Sequence, residues 1–116
     1  MGYYLSVQAV YGLAWNDAPS ACYPEDADGE PIENGVPVGP DGALVWGAYG
    51  NRLGNPGRYL AVAEARADSV DQYAMRIDEY HEAVTDRWRA EILGYCDEIG
   101  VEPPHEPGWL ALADWG

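Results

Sequence analysis

The chain has no lysine and no phenylalanine, only two cysteines, and 6 basic residues against 20 acidic ones in 116. Each scarcity excludes something. Its formal charge of -14 lies beyond the ~2–8 charges that keep a small domain soluble. The field around such a chain repels nucleic acid and anionic lipid and attracts cationic surfaces. The lysine that ends a phosphate-binding loop is missing, so nucleotide hydrolysis by that route is excluded. No apolar run approaches the ~20 residues of a membrane span, and no membrane partner is expected. The first residues lack the basic segment and uninterrupted apolar stretch of a secretory signal. Cys22 and Cys96 form no disulfide framework. Free thiols and a cytoplasmic location are the expectation. Without phenylalanine, bulk comes from 5 Trp and 9 Tyr, whose polar tips want partners or water. That predicts a shallow core with aromatics close to the surface.

What is present suits a single folded domain over residues 1–116. Apolar residues make up 47%, too many for disorder. Tyr3 to Gly12 alternates as a strand with apolar residues on both faces, hence a central one. Residues 16–42 form a long excursion with five of the nine prolines. Its Asp28-Gly29, Asn34-Gly35 and Asp41-Gly42 pairs predict short hairpins, because Asn, Asp and Gly accept positive φ cheaply. Ala43–Tyr49 and Arg58–Ala67 read as further strands, joined by a glycine-rich loop. From Val70 to Ile99, Tyr73, Ile77, Tyr80, Val84, Trp88, Ile92, Tyr95 and Ile99 recur every three or four residues, one face of a helix. Asp68 or Ser69 can cap its start, a break between Tyr80 and Thr85 would divide it in two, and Gly100 with Pro103-Pro104 stops it. Gly94 weakens its last turns by ~1 kcal/mol relative to alanine. Gly108–Asp114 alternates as a closing strand. The expected architecture is α+β: a small antiparallel or mixed sheet of about four strands, with one long helix from the second half of the chain packed on one face.

The Tyr3-Tyr4-Leu5 strand, the acidic Asp28-Gly29 hairpin region and the Trp88-bearing helix ahead of Glu106-Pro107-Gly108-Trp109 together resemble small acidic proteins of tailed bacteriophages. The resemblance covers the ends of the chain better than its middle. It implies a phage origin and transfers no site residue.

The candidate site residues are carboxylates. Asp71, Asp78, Glu82 and Asp86 fall at spacings of seven, four and four on one helix stripe, with Glu79 beside them. Arg76 can neutralise Glu79 and Arg89 can reach Asp86, but Asp78 and Glu82 have no basic residue one turn away. A solvated helix face explains the stripe blandly. The alternative is mimicry: duplex DNA carries one charge per ~1.7 Å of axis, and a helix rising ~1.5 Å per residue can imitate part of that line. Met75, on the acidic side, is either a core contact or an apolar anchor for a protein partner. Glu25, Asp26, Asp28 and Glu30, with Glu33, form a second acidic group. Hard oxygens at this density could hold a divalent cation, but their spacing misses the calcium loop, which favours a solvated turn.

Other chemistry is less well supported. His81 and Cys96 stand ~22 Å apart on one helix, too far for a zinc site or a nucleophile pair, which leaves only Cys96 with His105. Gly47, Gly50, Gly54 and Gly57 with Arg52 and Arg58 could cradle a phosphate, although a flexible connection explains those glycines as well. No metal, cofactor or enzymatic activity is expected. The expectation is a non-enzymatic acidic binding protein, monomer or dimer, that occupies a basic nucleic-acid-binding groove of a host protein without itself binding nucleic acid. A virion component using tyrosine and tryptophan patches is one alternative. A haloadapted domain whose acidity reflects only its solvent is another.

Overall fold

The computed structural model describes residues 5–51, 57–63 and 82–115. Among these residues five strands and one α-helix run in the order β1 (Leu5–Trp15), β2 (Pro37–Val38), β3 (Leu44–Asn51), β4 (Gly57–Val62), α1 (Glu82–Ile99) and β5 (Gly108–Trp115). The strands form one sheet in the order β2-β3-β4-β1-β5, all neighbours antiparallel. The fold class is therefore α+β, as the sequence predicts. The sheet also curls until its last strand reaches its second: Gly50 and Asn51 of β3 pair in parallel with Asp114 and Trp115 of β5. With β4 and β1, these strands complete a small ring.

β1 is the shared strand. Its residues 5–12 pair with β5 and its residues 12–15 with β4. The changeover at Gly12 needs a glycine, because a Cβ there would sit 1.9 Å from the Leu60 carbonyl oxygen. Strands that turn this tightly put glycine at the corner. Gly47 does a similar job inside β3, where a Cβ would meet the Tyr59 ring at 2.2 Å. Gly47 and Gly57 thus lie within strands and make room for aromatic rings. They are not part of a flexible connection. β1 extends three residues beyond the predicted Gly12. β4 ends at Val62, where Ala63 enters a turn and donates its amide to Ala43 at 2.9 Å. Residues 64–67, expected to prolong that strand, lie outside the described residues.

Strand alternation sorts the apolar side chains into two layers. Inside the curl, Val10, Tyr59, Ala61 and Leu112 are buried, with Ala14, Tyr49 and Leu110 against them. On the other face Tyr11, Leu13, Trp15, Leu44, Trp46, Leu60 and Val62 pack under α1. The helix contributes Trp88, Ile92, Tyr95 and Cys96, with Val84 and Ile99 at its edge, the stripe predicted from spacing. Its first predicted turns, including Tyr73, Ile77 and Tyr80, lie outside the described residues. At its end Gly100 takes φ +77. The Val101 amide donates to Cys96 O at 2.9 Å and the Gly100 amide to Asp97 O at 3.3 Å, the bond pair of a Schellman cap.

The expectation of a shallow core is overturned. Trp46 and Trp88 are 0% and 1% exposed, at the centre of the helix-covered layer. Their polar tips do not force them outward, because partners are supplied inside. Trp46 Nε1 donates to Tyr95 Oη at 3.2 Å, and the Tyr11 hydroxyl donates to the Thr85 carbonyl at 3.3 Å. Trp109 meets Tyr11 and Trp88 edge-on and those two rings meet at a tilt, with centroids 5.4 to 6.1 Å apart; the edge-on geometry is one aromatic quadrupoles favour.

Candidate functional site

The acidic hairpin is built by one of its own carboxylates. Asp26 Oδ1 accepts from the Asp28 amide at 2.9 Å and from the Glu30 amide at 3.0 Å. The Asp26 amide donates to Glu30 O and the Gly29 amide to Asp26 O, with Gly29 at φ +79. Glu25 and Pro31 pair across the hairpin. Asp28-Gly29 is thus a turn, as predicted. Asp26, however, spends an oxygen on the backbone and is a turn former as much as a contact residue. Glu25, Asp28, Glu30 and Glu33 remain exposed around it. Among the described residues no group of three or more His, Cys, Asp or Glu is placed to hold a metal ion.

The hairpin joins the sheet through a buried cation. Arg58 of β4 is 5% exposed. Its Nε donates to the Cys22 carbonyl at 2.5 Å and its Nη1 to Asn34 Oδ1 at 2.9 Å. Its guanidinium lies between two rings, 4.5 Å from the Tyr23 centroid and 4.9 Å from that of Trp46. Burial holds its pKa below the ordinary value. The Gly35 amide donates to Trp46 O at 3.0 Å, a second tie for the excursion. Sequence reasoning placed Arg58 beside a candidate phosphate cradle, but the structure turns it into the protein. Tyr23 is the residue that reasoning missed, and the inward role of Arg58 had no local signal, because β4 is buried on both faces only in the folded chain.

The other two described arginines are also engaged. Arg89 Nε and Nη2 both bond Glu106 Oε2, at 3.0 and 2.5 Å, and this carboxylate raises the arginine's pKa. Arg89 thus bonds Glu106, and the expected Asp86 acts on it only as a more distant charge. Arg87 lies 3.8 Å from Glu91, one turn along α1. Every arginine of the described residues is thus buried or paired, while Asp17, Glu25, Asp28, Glu30, Glu33, Asp41, Asp86, Asp97, Glu98 and Glu102 face solvent.

Of the predicted helix stripe, Asp86 is exposed on α1 and Glu82 is the first described residue of that helix. Asp71, Met75, Asp78 and Glu79 lie outside the described residues. A groove of about 590 Å³ runs along the second half of the helix, between Pro40 and the row of Ala90, Glu91, Gly94 and Glu98, with Tyr95 in its lining. Spacing alone did not suggest it, because one wall comes from the turn between β2 and β3.

Nucleophilic chemistry finds little support. Cys22 and Cys96 are free and buried, and burial pushes each thiol up to about 11, so neither is an activated thiolate. His105 Nε2 accepts from the Ala14 amide at 3.2 Å, and Nδ1 lies 2.7 Å from the Glu106 carbonyl, to which it donates in the tautomer the first bond requires. Both nitrogens are therefore occupied, and Cys96 with His105 makes no activated pair. Among the described residues no helix is long and apolar enough to cross a membrane. No family model, curated protein or solved structure matches the chain.

Proposed function

We propose that the chain is a non-enzymatic acidic binding protein that occupies a basic, nucleic-acid-binding groove of a host protein, in the manner of a phage-encoded inhibitor. One observation carries the reading. One described arginine is buried and the two exposed ones are tied to Glu91 and Glu106, so the exposed acids of the described surface far outnumber the cations beside them. Such a surface steers toward a cationic partner and speeds encounter at low salt. The hairpin projects Glu25, Asp28 and Glu30 on a backbone stiffened by Asp26. Beside it stand the two large apolar side chains most open to solvent among the described residues, Tyr23 at 49% and Val36 at 43%. An exposed aromatic that a partner would desolvate, set within a charged rim, is the composition of an interface hot spot.

The aromatic-patch alternative has less to work with. Trp15, Trp46 and Trp88 are buried in the core, and among the residues whose exposure is described Tyr23 is the one aromatic at the open surface.

The test is competition. Immobilised protein is exposed to nuclease-treated host lysate and the retained protein is eluted with salt. That partner is then assayed for duplex or RNA binding by mobility shift, with and without the acidic protein. The expected result is salt-sensitive retention and mutual exclusion with nucleic acid. A partner that binds nucleic acid and this chain together, or a chain that itself shifts DNA at physiological salt, would overturn the proposal.

A further inference from the structure

Arg58 is a buried cation without a counter-ion. It is 5% exposed, yet the oxygens it bonds, Cys22 O and Asn34 Oδ1, belong to uncharged groups. The side chains whose charges would act on it are Tyr23, Cys22 and Tyr95, with no carboxylate among them. In a chain with 20 acidic residues this is a gap, because a buried arginine is ordinarily paired. Asn34 occupies the place a carboxylate would take, with a nitrogen where one of the two oxygens would be.

Asn34 is also the one asparagine of the chain that precedes a glycine; Asn16, Asn51 and Asn55 precede Asp17, Arg52 and Pro56. In an Asn-Gly pair the glycine nitrogen can attack the asparagine Cγ with no side chain in its way, and asparagine is among the thermolabile residues. The N–Cγ bond forms, the Cγ–Nδ2 bond breaks, and Nδ2 leaves as ammonia with the glycine's amide proton. Water then opens the five-membered imide. Cleavage of the new N–Cγ bond gives an aspartate, and cleavage of the original backbone bond gives an isoaspartate with one more methylene in the main chain. The sum is hydrolysis of an amide, and no oxidant or cofactor takes part.

The fold engages both reacting groups. The Gly35 amide donates to Trp46 O at 3.0 Å, and Asn34 Oδ1 accepts from Arg58 at 2.9 Å. Attack therefore waits for a local opening at the base of the hairpin. Asn34 is exposed, so water reaches the imide once it forms. When the base closes again, the aspartate product sets a carboxylate where Arg58 already donates, and a hydrogen bond to a neutral acceptor becomes an ion pair. The isoaspartate product, with its longer main chain, cannot restore both ties.

We propose that Asn34 is a self-modification site, at which hydrolytic loss of the side-chain amide supplies the counter-ion that Arg58 lacks. The reaction needs nothing from the proposed partner and holds or fails independently of it. Its consequence is a hairpin fastened to the sheet by a salt bridge after conversion, and by neutral acceptors before.

Two measurements test this. Parent protein, native or unfolded in guanidinium, is held at mildly alkaline pH and digested at intervals for mass spectrometry. Asn34 should convert in the native chain while Asn16, Asn51 and Asn55 keep their amides, at least ~10-fold more slowly than in the unfolded chain, because conversion needs the opening. Equal rates would show that the folded contacts hold nothing, and a native chain that never converts would remove the site. Asn34→Asp stands for the product. Its folding constant should exceed the parent's by roughly fivefold, since a hydrogen bond between charged groups is worth more than one to a neutral acceptor. The gain should vanish beside Arg58→Met. Should Arg58→Met fail to fold, a carbon NMR titration of the new carboxylate decides instead. Bonded to Arg58 it ionises well below the ordinary aspartate range, and turned to solvent it titrates within it. An ordinary titration, or no gain in stability, overturns the proposal.

Discussion

Replacing Arg58 by alanine should destabilise the protein by ~3–4 kcal/mol. The side chain makes hydrogen bonds to Cys22 O at 2.5 Å and Asn34 Oδ1 at 2.9 Å, and a charged donor contributes ~1.5–3 kcal/mol through each. The Tyr23 and Trp46 rings at 4.5 and 4.9 Å add ~1–2 kcal/mol together. Desolvating the guanidinium offsets several kcal/mol of that gain. Truncation also leaves a cavity and an unmatched Cys22 carbonyl, which returns ~2 kcal/mol to the loss. Arg58→Lys keeps the charge without the planar fork and should lose ~1–2 kcal/mol. Arg87→Ala is the control. It changes net charge by the same amount at an exposed, loosely paired site, where ~0–0.5 kcal/mol is expected. Urea midpoints followed by tryptophan fluorescence measure all three at pH 7. Amide exchange at Gly35 should accelerate in Arg58→Ala, because its bond to Trp46 O adjoins the lost Asn34 anchor. If Arg58→Ala matches Arg87→Ala, the claim that this cation fastens the excursion to the sheet is wrong.

Two further outcomes are expected. Trp88→Ala removes a side chain 1% exposed that touches the Tyr11 and Trp109 rings. It should cost ~3–5 kcal/mol in chemical denaturation, and parent-like stability would show that α1 is not seated as described. The second outcome concerns pH. Burial raises both thiols from 9.0 to about 11, so between those values the unfolded chain gives up protons that the native state keeps. Stability should be intact below pH 9 and fall as pH rises through 11, by roughly 3 kcal/mol for one thiol at ~1.4 kcal/mol per unit. Tyr11, Tyr49 and Tyr95, also raised mainly by burial, act in the same direction. Thermal melts of a Cys22→Ala, Cys96→Ala double variant should show a shallower alkaline decline, and an unchanged slope would return the effect to the tyrosines.

Local patterns made much of this fold legible. The period of three to four from Val84 to Ile99 marks the buried face of α1, and Gly100 ends the helix through backbone geometry available only at low cost to glycine. Asp28-Gly29 and Asp41-Gly42 are turns because Gly29, Asp41 and Gly42 all take positive φ. What depends on distant partners was not legible. Nothing near Trp46 in sequence announces that Tyr95 will satisfy its indole, which is why buried tryptophans read as surface ones. Arg58 has the local context of a loop cation, and its rings and acceptors arrive from the excursion and from β3. Of the candidate site, the acids of the hairpin could be read as a group, but not that Asp26 would bond the backbone of its own turn. The groove needed both α1 and Pro40, which only the folded chain brings together.

The shared strand has a consequence in time. Translation delivers β1 before the other described elements, yet the partner for residues 5–12 is β5, which begins at Gly108 and is synthesised after all of them. Until then one edge of that stretch has no antiparallel neighbour, and the far end of β3 lacks its parallel one. A nascent chain halted before Gly108 would carry an open strand edge with unspent amides and carbonyls, a template for pairing with other chains. Closure therefore comes last and joins the sequence across its longest separation. Contacts of that kind make folding slow and leave a window for misassembly. Selection on such a chain would act on the speed with which its late strand finds its early one, as well as on the stability of the finished ring.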